Sequence, residues 1–254
     1  MIDPRAVVHP DARLGEGVRV EPFAVIGPEV EIGDHSWIGP HALVKGPTRI
    51  GAHNKIYPFA SVGEAPQDKK YAGEPTRLEI GDHNVIREYC TINRGTIQDR
   101  GVTRIGDHNW IMAYVHIAHD CQVGDHTVFA NNASLAGHVI VEDHAILGGF
   151  TLVHQFCRIG AHAFTAMGSA LTKDVPPFVM AAGNPARARG LNLEGLRRRG
   201  FSTEAVACLK QAYRLIYRSD LPLSRALERI EDELDCDQSR RFAAFIRASR
   251  RGIV

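Results

Sequence analysis

The sequence is poor in aromatic residues and contains no long hydrophobic run. Phe, Trp and Tyr make up 7% of the 254 residues, which is little for a core built around bulky rings. No stretch approaches the roughly 18 consecutive apolar residues of a membrane-spanning helix. The N-terminal residues, MIDPRAVVHPDARLGEG, lack the basic and apolar segments of a signal peptide. These absences predict a cytoplasmic chain without stable membrane insertion.

Cysteine is also scarce and shows no metal-binding spacing. An odd number of cysteines without a secretion signal predicts reduced thiols rather than a disulfide framework. No Cys-x-x-Cys pair or other zinc pattern occurs among the five, which are Cys90, Cys121, Cys157, Cys208 and Cys236.

Charge is unevenly distributed, although the formal net charge is only +1. The segment from Pro185 to Val254 carries 15 Lys and Arg against 9 Asp and Glu, so the rest of the chain is acidic. Such an excess is typical either of a contact with an acidic partner or of solvated helix surfaces. No nucleic-acid-binding motif accompanies it, so nucleic acid is not an expected partner.

A six-residue repeat dominates the first two thirds of the chain. Large apolar residues recur at every sixth position from Val8 to Val62, from Ile80 to Ile92, and from Ile105 to Ile159. Each repeat predicts a short strand and a turn, with alternate residues pointing inward. Three repeats would close a triangular coil of 18 residues. About nine stacked coils, at about 4.8 Å each, would form a prism of parallel strands.

Two segments interrupt the repeat, and both are predicted to be loops on the outside of the prism. Residues 63–79 lack the apolar positions, and residues 93–104 shift the phase by one. Loops on a rigid scaffold are common sites of function.

The period changes to about 3.6 residues near the C-terminus, which predicts helices. We therefore expect a β domain over residues 1–185 and a helical domain over residues 186–254. Ser202 is expected to cap a helix that continues to Arg218. Two further helices are expected, one around Leu227 and one around Phe242.

The 13 histidines fall into two groups. Nine occupy the same turn position, three residues after the apolar one, and most of these are interpreted as structural. Since residues 18 apart should stack, positions 116–120, 134–138 and 152–156 form one edge of the prism. A concentration of titratable groups is a candidate site. This edge, named the catalytic edge below, holds His116, His119, Asp120, Gly137, His138, His154 and Gln155.

Three interpretations of this cluster remain open from the residues alone. His119 followed by Asp120 is typical of a general base and its orienting carboxylate, because imidazole titrates near neutrality. A histidine cluster can instead bind zinc tetrahedrally, as in the gamma-class carbonic anhydrases that share this type of repeat. The residues could also be no more than turn formers, with Asp120 only closing a turn.

Longer motifs identify a family. HIAHDC, QDKKYAGEPTR, TINRGT, LAGH, VHQFC and NLEGLRRRGF, spread over nearly the whole chain, resemble the UDP-N-acetylglucosamine acyltransferases that open lipid A biosynthesis. The resemblance implies a left-handed parallel β-helix, an exception to the usual right-handed crossover. It also implies transfer of a 3-hydroxyacyl chain from acyl carrier protein to the 3-hydroxyl of UDP-N-acetylglucosamine. A homotrimer with sites between subunits is expected, without a cofactor or a metal.

The resemblance assigns roles residue by residue. His119 matches the general base, Asp120 its partner, and the N–H of Gly137 the donor to the oxyanion. Asp68 and Lys70 match residues that contact glucosamine and the acyl group, with Gln67 beside them. The sugar and diphosphate surroundings correspond to His116, His138, His154 and Gln155. The nucleotide contacts correspond to Asn192, Glu194, Arg198 and Arg199.

Two positions depart from the family pattern. Asn93 stands where many members have histidine, which leaves open whether the acceptor is the 3-hydroxy sugar or its 3-amino analogue; the former is preferred. Met167 stands where members that use long chains have glycine. A flexible apolar side chain there would shorten the acyl groove, so we expect a chain of about ten carbons rather than about fourteen. This expectation fails if Met167 points elsewhere.

Several related functions are disfavoured by the sequence. The N-acyltransferases of the same pathway carry an additional N-terminal domain, whereas here the repeats begin at Val8. Hexapeptide acetyltransferases that use acyl-CoA lack this helical tail. A zinc-dependent lyase of the carbonic anhydrase type remains the alternative from another class. An outward-facing apolar set fits buried subunit interfaces and consists of Val128, Ile140, Ile146 and Leu152.

Overall fold

Short parallel strands form the three sides of a triangular prism in the computed structural model, which describes residues 1–254. Successive strands belong to successive sheets, and the sheets contain nine, eight and ten strands. The strands are β1 Val7–Val8, β2 Arg13–Leu14, β3 Arg19–Val20, β4 Val25–Ile26, β5 Val30–Ile32, β6 Trp37–Ile38, β7 Leu43–Val44, β8 Thr48–Ile50, β9 Lys55–Ile56, β10 Ser61–Glu64, β11 Arg77–Ile80, β12 Val85–Ile86, β13 Thr91–Asn93, β14 Val102–Ile105, β15 Trp110–Ile111, β16 His116–Ile117, β17 Gln122–Val123, β18 Val128–Phe129, β19 Ser134–Leu135, β20 Ile140–Val141, β21 Ile146–Leu147, β22 Leu152–Val153, β23 Arg158–Ile159, β24 Phe164–Thr165, β25 Ala170–Leu171, β26 Val179–Gly183 and β27 Ala186–Leu191.

The predicted coil of 18 residues is confirmed by the strand register. In the nine-stranded sheet, His116 pairs with Ser134, and Ser134 pairs with Leu152. The repeated apolar residues fill the interior of the prism, as the alternation requires. Thr165, where the apolar repeat fails, is also fully buried, and its hydroxyl lies 2.8 Å from the hydroxyl of Thr151. The polar pair therefore satisfies itself within the core.

The recurring sequence Ile-Gly-Asp-His is explained by contacts between successive coils. In the coil at residues 80–83, the N–H of Asp82 donates to the carboxylate of Asp107 in the next coil, at 2.7 Å. A Cβ at Gly81 would collide with that carboxylate, so the position requires glycine. His83 adopts a φ of 58°, a left-handed conformation in which histidine is enriched among non-glycine residues.

These left-handed turns stack histidine rings along one edge of the prism. Centroids of neighbouring rings are 4.7 to 5.2 Å apart. All nine turn histidines have positive φ, which agrees with the structural interpretation of most of them. The seven members of this histidine column are His35, His53, His83, His108, His126, His144 and His162.

Both interruptions of the repeat are loops, but they are shorter than predicted. The first loop comprises residues 65–76 and the second loop residues 94–101, because β10, β11, β13 and β14 extend into the segments assigned to loops. Ladder hydrogen bonds need only the backbone, so these strands continue where the apolar side chains stop.

The C-terminal region begins with a hairpin rather than with a helix. β26 and β27 pair antiparallel, with Val179 opposite Leu191, so the predicted boundary at residues 185 and 186 falls in the turn of this hairpin. The apolar pattern could not reveal this hairpin, because three of the six residues of β27 are two arginines and a glycine. The helices are α1 Leu193–Arg198, α2 Thr203–Tyr217, α3 Leu223–Glu233 and α4 Asp237–Ala248.

Three of the helices were predicted, whereas α1 was not. The Ser202 side chain accepts a hydrogen bond from the N–H of Ala205, which confirms it as the N-cap of α2. Apolar residues of α2, α3 and α4 join the buried residues of the coil in one hydrophobic cluster. The helices therefore pack against the last coils of the prism. None of the helices is both long and apolar enough to cross a membrane.

The expectation of five reduced thiols is wrong for two of them. A disulfide joins Cys208 in α2 to Cys236, which precedes α4. Their separation of 28 residues gave no recognisable spacing. Cys90, Cys121 and Cys157 are free and buried in the coil, and burial raises the pKa of Cys121 to about 12.

Candidate active site

The catalytic edge lies at the turns that follow β16, β19 and β22, strands of the nine-stranded sheet. The first and second loops fold over these turns and form a polar cleft of 770 Å³. The lining contains His119, His138 and Gln155 from the turns. Its other members are Gln67, Asp68, Lys69, Lys70, Gln98, Asp99 and Phe156.

His119 and Asp120 form a hydrogen-bonded pair at the bottom of this cleft. The Nδ1 atom of His119 lies 2.9 Å from Oδ2 of Asp120, whose side chain is fully buried. Burial alone would raise the pKa of Asp120, but hydrogen bonds from His119 and Thr96 outweigh it and lower that pKa. An ionised carboxylate only accepts, so it holds the proton of His119 on Nδ1 and leaves a lone pair on Nε2.

Thr96 of the second loop holds Asp120 in place. Its N–H and its hydroxyl donate to the carboxylate at 3.0 Å and 2.6 Å, and the N–H of Asp120 donates to Thr103 at 2.8 Å. Asp120 also has a φ of 60°, so it closes a turn as well as contacting His119. Asp120 can therefore be both the partner of His119 and the residue that closes the turn.

Gly137 lies directly against the imidazole of His119. A Cβ at this position would be 2.5 Å from Cε1 and 2.7 Å from Nε2 of His119, so only glycine fits. The backbone N–H of Gly137 donates to no acceptor in the protein. A base and a free N–H donor therefore lie side by side, an arrangement that suits attack on a carbonyl group.

His138 is held by three neighbours. Its Nδ1 atom is 3.0 Å from Oδ2 of Asp99, its ring stacks on Phe156 with centroids 4.4 Å apart, and it meets the ring of His119 edge-on at 5.0 Å. His119, Asp120 and His138 could supply three metal ligands, since their ligand atoms lie within 4.8 Å of one another. Both Nδ1 atoms already bond to carboxylates, and the set lacks the third histidine of the carbonic anhydrase pattern.

An apolar groove begins beside the catalytic edge and follows the outer face of the nine-stranded sheet. Its two titratable members are His116 and His154. Burial lowers the pKa of His116, and its Nδ1 lies 2.7 Å from the hydroxyl of Thr91. Met167 lies in the turn before β25 and is 80% exposed. The groove is otherwise lined by Ser134, Leu135, Ala136, Leu152, Val153, Ala170, Leu171 and Thr172.

The predicted nucleotide contacts lie elsewhere, in a cleft of 620 Å³ on the outer face of the ten-stranded sheet. Asn192 caps α1 and donates to the carbonyl of His162 at 3.0 Å, and Arg199 donates to Nδ1 of His144 at 2.6 Å. Both contacts attach this cleft to the histidine column, a different edge from the one that carries His119. The structure thus separates the two groups of predicted contacts within one chain.

Glu194 and Arg198 of this second cleft contact each other. The carboxylate of Glu194 accepts from Arg197 and Arg198, each at 2.8 Å, and these two arginines lower its pKa to about 2. The remaining lining residues are mostly apolar and comprise Ile146, Phe164, Met180, Leu191, Leu193 and Gly195.

Asn93 is buried behind the polar cleft and is not among its lining residues. Its Nδ2 donates to the carbonyl of Ala65 at 3.1 Å, while its Oδ1 has no partner. The neighbouring Arg94 attaches the second loop to the coil through the carbonyls of Gly46 and Gly63, at 2.7 and 2.9 Å, and donates to the hydroxyl of Tyr71 in the first loop at 3.2 Å. Asp68 accepts from the N–H of Lys70 at 3.0 Å, which orders the part of the first loop that lines the cleft.

Sequence reasoning missed Thr96, Asp99 and Phe156. Thr96 belongs to the motif TINRGT, which offered a signal, whereas Asp99 lies in the second loop, outside every repeat. Phe156 occupies a turn position where other coils have histidine, so the repeat could have identified it.

Comparisons with known families agree with both parts of the fold. Residues 29–64 and 103–137 match the model of the bacterial transferase hexapeptide repeat. Residues 174–254 match the model of the second domain of UDP-N-acetylglucosamine O-acyltransferase.

Individual proteins match over the full chain. An acyl-(acyl-carrier-protein)–UDP-N-acetylglucosamine O-acyltransferase from Thiobacillus denitrificans is 61% identical over all of this chain and 98% of its own. The solved structure of the UDP-N-acetylglucosamine O-acyltransferase of Moraxella catarrhalis superimposes with a TM-score of 0.97. It is 47% identical and covers 100% of this chain and 99% of its own. A structure from Acinetobacter baumannii has the same TM-score at 46% identity, with coverage of 100% and 99%.

Proposed function

Since the chain belongs to the UDP-N-acetylglucosamine O-acyltransferase family, we propose that it moves a 3-hydroxyacyl chain from acyl carrier protein to the 3-hydroxyl of UDP-N-acetylglucosamine. The observation that carries the mechanism is the contact between the His119–Asp120 pair and the free N–H of Gly137. These groups supply a base and an oxyanion donor at one place.

His119 begins the reaction by removing a proton. Its Nε2 takes the proton of the sugar hydroxyl, and the oxygen forms a bond to the thioester carbon of the donor. The carbonyl oxygen becomes an oxyanion, which accepts a hydrogen bond from the N–H of Gly137. The carbon–sulfur bond then breaks, and the imidazolium of His119 returns the proton to the departing thiolate of the carrier protein.

Asp120 keeps this base in the required tautomer. Its carboxylate remains ionised despite burial because Thr96 and His119 donate to it. An ionised neighbour stabilises the imidazolium that forms during proton transfer.

The acceptor is proposed to lie across the cleft from the base. Lys70, Asp68 and Gln67 reach it from the first loop, and His138 and Gln155 from the catalytic edge. His116 and His154, at the entrance of the apolar groove, would contact the sugar from the other side.

The nucleotide is proposed to bind a neighbouring subunit of a homotrimer. Asn192, Glu194, Arg198 and Arg199 form a separate cleft at another edge of the same chain. A neighbour can supply these residues when equal subunits pack head to tail around a threefold axis. The half-buried outer residues Val128, Ile140 and Ile146, and Leu152 at 55% exposure, would then be covered.

The apolar groove is the proposed site for the acyl chain. Met167 is not one of its lining residues, but it lies in the turn three residues before Ala170, which is. A side chain that is 80% exposed and apolar gains from contact with a hydrocarbon. Its bulk supports a donor of about ten carbons. Transfer to the 3-amino sugar remains the alternative, because Asn93 stands where many members of the family have histidine.

A basic stripe on α2 is the proposed docking surface for acyl carrier protein, an acidic partner. Lys210, Arg214 and Arg218 are spaced four residues apart and line one hollow with Leu193 and Tyr213. None of the three cations pairs with a carboxylate, although most of the other arginines in the tail do.

Replacing Lys210 and Arg214 by glutamate should raise the KM for acyl carrier protein roughly tenfold or more, because like charges repel. Transfer from an acyl-phosphopantetheine fragment should change little. Arg225, which already pairs with Glu228 at 2.6 Å, is the matched control for charge reversal. An unchanged KM in the double variant would remove the stripe as the docking surface.

The function itself is tested by an endpoint assay read by mass spectrometry. Purified protein would meet UDP-N-acetylglucosamine, or its 3-amino analogue, with 3-hydroxyacyl carrier proteins of about eight to about sixteen carbons. An ester product that peaks near about ten carbons is expected. A peak near about fourteen would retain the reaction and reject the role of Met167. Product only with the amino sugar would change the acceptor, and no product at all would reject the proposal and return attention to the zinc lyase.

A further inference from the structure

We propose that Asp99, in the second loop, is a positioning residue that fixes the tautomer of His138. The inference rests on the proposed function, in which His138 contacts the sugar and diphosphate. Asp99 lies outside the repeat and outside the motifs that identified the family.

The contact has the geometry of a directional hydrogen bond. Oδ2 of Asp99 lies 3.0 Å from Nδ1 of His138. The other oxygen, Oδ1, lies 3.9 Å from Nε of Arg100. A carboxylate can only accept a hydrogen bond in this contact, because neither of its oxygens carries a proton when it is ionised. Nδ1 of His138 must then carry a proton.

The other contacts of His138 do not determine where its proton resides. The stack on Phe156 and the edge-on contact with His119 fix the plane of the ring. Neither contact distinguishes Nδ1 from Nε2, because the two nitrogens are not bonded in them. Oδ2 of Asp120 lies 3.9 Å from the same Nδ1, which is beyond hydrogen-bond distance. Asp99 is therefore the one carboxylate that accepts a hydrogen bond from a ring nitrogen of His138, and it leaves Nε2 free for a substrate group.

The second loop thus attaches to the catalytic edge at two carboxylate–imidazole pairs. Thr96 donates to Asp120, which orients His119, and Asp99 itself orients His138. The loop sets both histidines before the substrate arrives, and such preorganisation determines how much binding energy is available for the reaction.

The test uses the full-length enzyme with Asp99→Asn and Asp99→Ala. Asparagine keeps the shape of the side chain but can donate as well as accept, so it no longer imposes one tautomer. We expect kcat/KM to fall roughly tenfold to hundredfold in both variants, since a misplaced group in the site can cost about a hundredfold. The matched control is Asp11→Asn, because Asp11 lies 3.6 Å from Nδ1 of the exposed His9, far outside both clefts.

A double-mutant cycle separates positioning from a general loss of structure. In a His138→Asn background, Asp99→Asn should change kcat/KM by less than about twofold, because the residue through which it acts is gone. Equal losses in both backgrounds would overturn the inference. So would a wild-type kcat/KM in both Asp99 variants.

A spectroscopic measurement reads the tautomer without turnover. Nitrogen-15 spectra of the imidazoles at a pH of about 8, where ordinary histidines are neutral, should show His138 protonated on Nδ1 in the wild type. In Asp99→Ala the proton should redistribute between the nitrogens. If His138 kept the wild-type tautomer in Asp99→Ala, the inference would be rejected, whatever substrate the enzyme uses. If the wild-type enzyme had no activity in the endpoint assay, only the proposed function would be rejected.

Discussion

At the residue scale, the candidate site depends on a buried carboxylate that accepts several hydrogen bonds. Asp120 has no exposed side-chain surface, yet it accepts hydrogen bonds from His119 and from both donors of Thr96. The sequence showed His119 and Asp120 as neighbours, but it could not show Thr96, because that contact spans 24 residues and depends on the path of a loop.

Asp120→Asn should lower kcat by roughly a hundredfold to ten-thousandfold, the range of general-base contributions. The amide keeps the turn but removes the charge that stabilises the imidazolium of His119. Steady-state kinetics with saturating donor would measure this, and His119→Ala should lose at least as much.

The control for this pair is His9→Ala, which removes an exposed histidine beside an aspartate at the other end of the chain. It should retain wild-type kcat. If Asp120→Asn also retained it, Asp120 would be a turn former only.

At the element scale, the repeat predicted strands more accurately than it predicted loops. The apolar residue of each hexad is buried, as expected, from Ile26 to Ile159. The loop limits were too wide because β10 and β14 pair through backbone groups that the side-chain pattern does not report. The hairpin of β26 and β27 was not predicted, because an antiparallel pair follows neither the six-residue period of the coil nor the 3.6-residue period of a helix.

The histidine column is also an element, and it makes stability depend on pH. Burial, together with the neighbouring His144 and Arg199, lowers the pKa of His162 to about 4, and burial lowers the pKa of His144. Between a pH of about 6.5 and about 4, the unfolded chain therefore binds more protons than the folded one. The free energy of unfolding should therefore fall as the pH decreases through this window. Above a pH of about 6.5, the pKa of histidine in the unfolded chain, these histidines should not make it depend on pH.

His162→Asn should reduce this loss, because asparagine also adopts the left-handed conformation but does not titrate. The melting temperature of the variant should drop less than that of the wild type between pH 7 and pH 4.5. His9→Asn, outside the column, should follow the wild type. Equal drops in all three proteins would show that the column is not the source.

At the scale of the whole molecule, the predicted fold is confirmed, while the predicted site is divided. Residues that the family resemblance assigned to one substrate line two clefts on different edges of the prism. The family resemblance implied sites between subunits, but the repeat alone could not place the two clefts, because stacking every 18 residues orders positions along an edge and does not say which edge the tail packs against.

Mixed oligomers test whether neighbouring subunits share a site. His119→Ala and Asn192→Ala should each be nearly inactive alone. In a trimer that contains both variants, about one site in three should be restored, since a shared site needs one intact half from each of two subunits. Complementation would appear as activity of purified hetero-oligomers carrying two affinity tags.

Simple mixing of the folded variants without subunit exchange provides the control and should restore nothing. Hetero-oligomers as inactive as the parents would mean that each chain forms its site alone.

The stacking of carboxylate, glycine and histidine from coil to coil also limits how such a chain can change length. Gly81, Asp82 and His83 contact Asp107 and His108 of the next coil, so a residue inserted within a coil would put every later side chain on the wrong edge. Gains and losses there must come as complete turns. The second loop escapes this rule, because it leaves and rejoins the prism at β13 and β14 and absorbs the shift of one residue. Related proteins should therefore differ by single inserted or deleted residues in the second loop, at the mouth of the cleft. Along the prism they should differ only by complete coils.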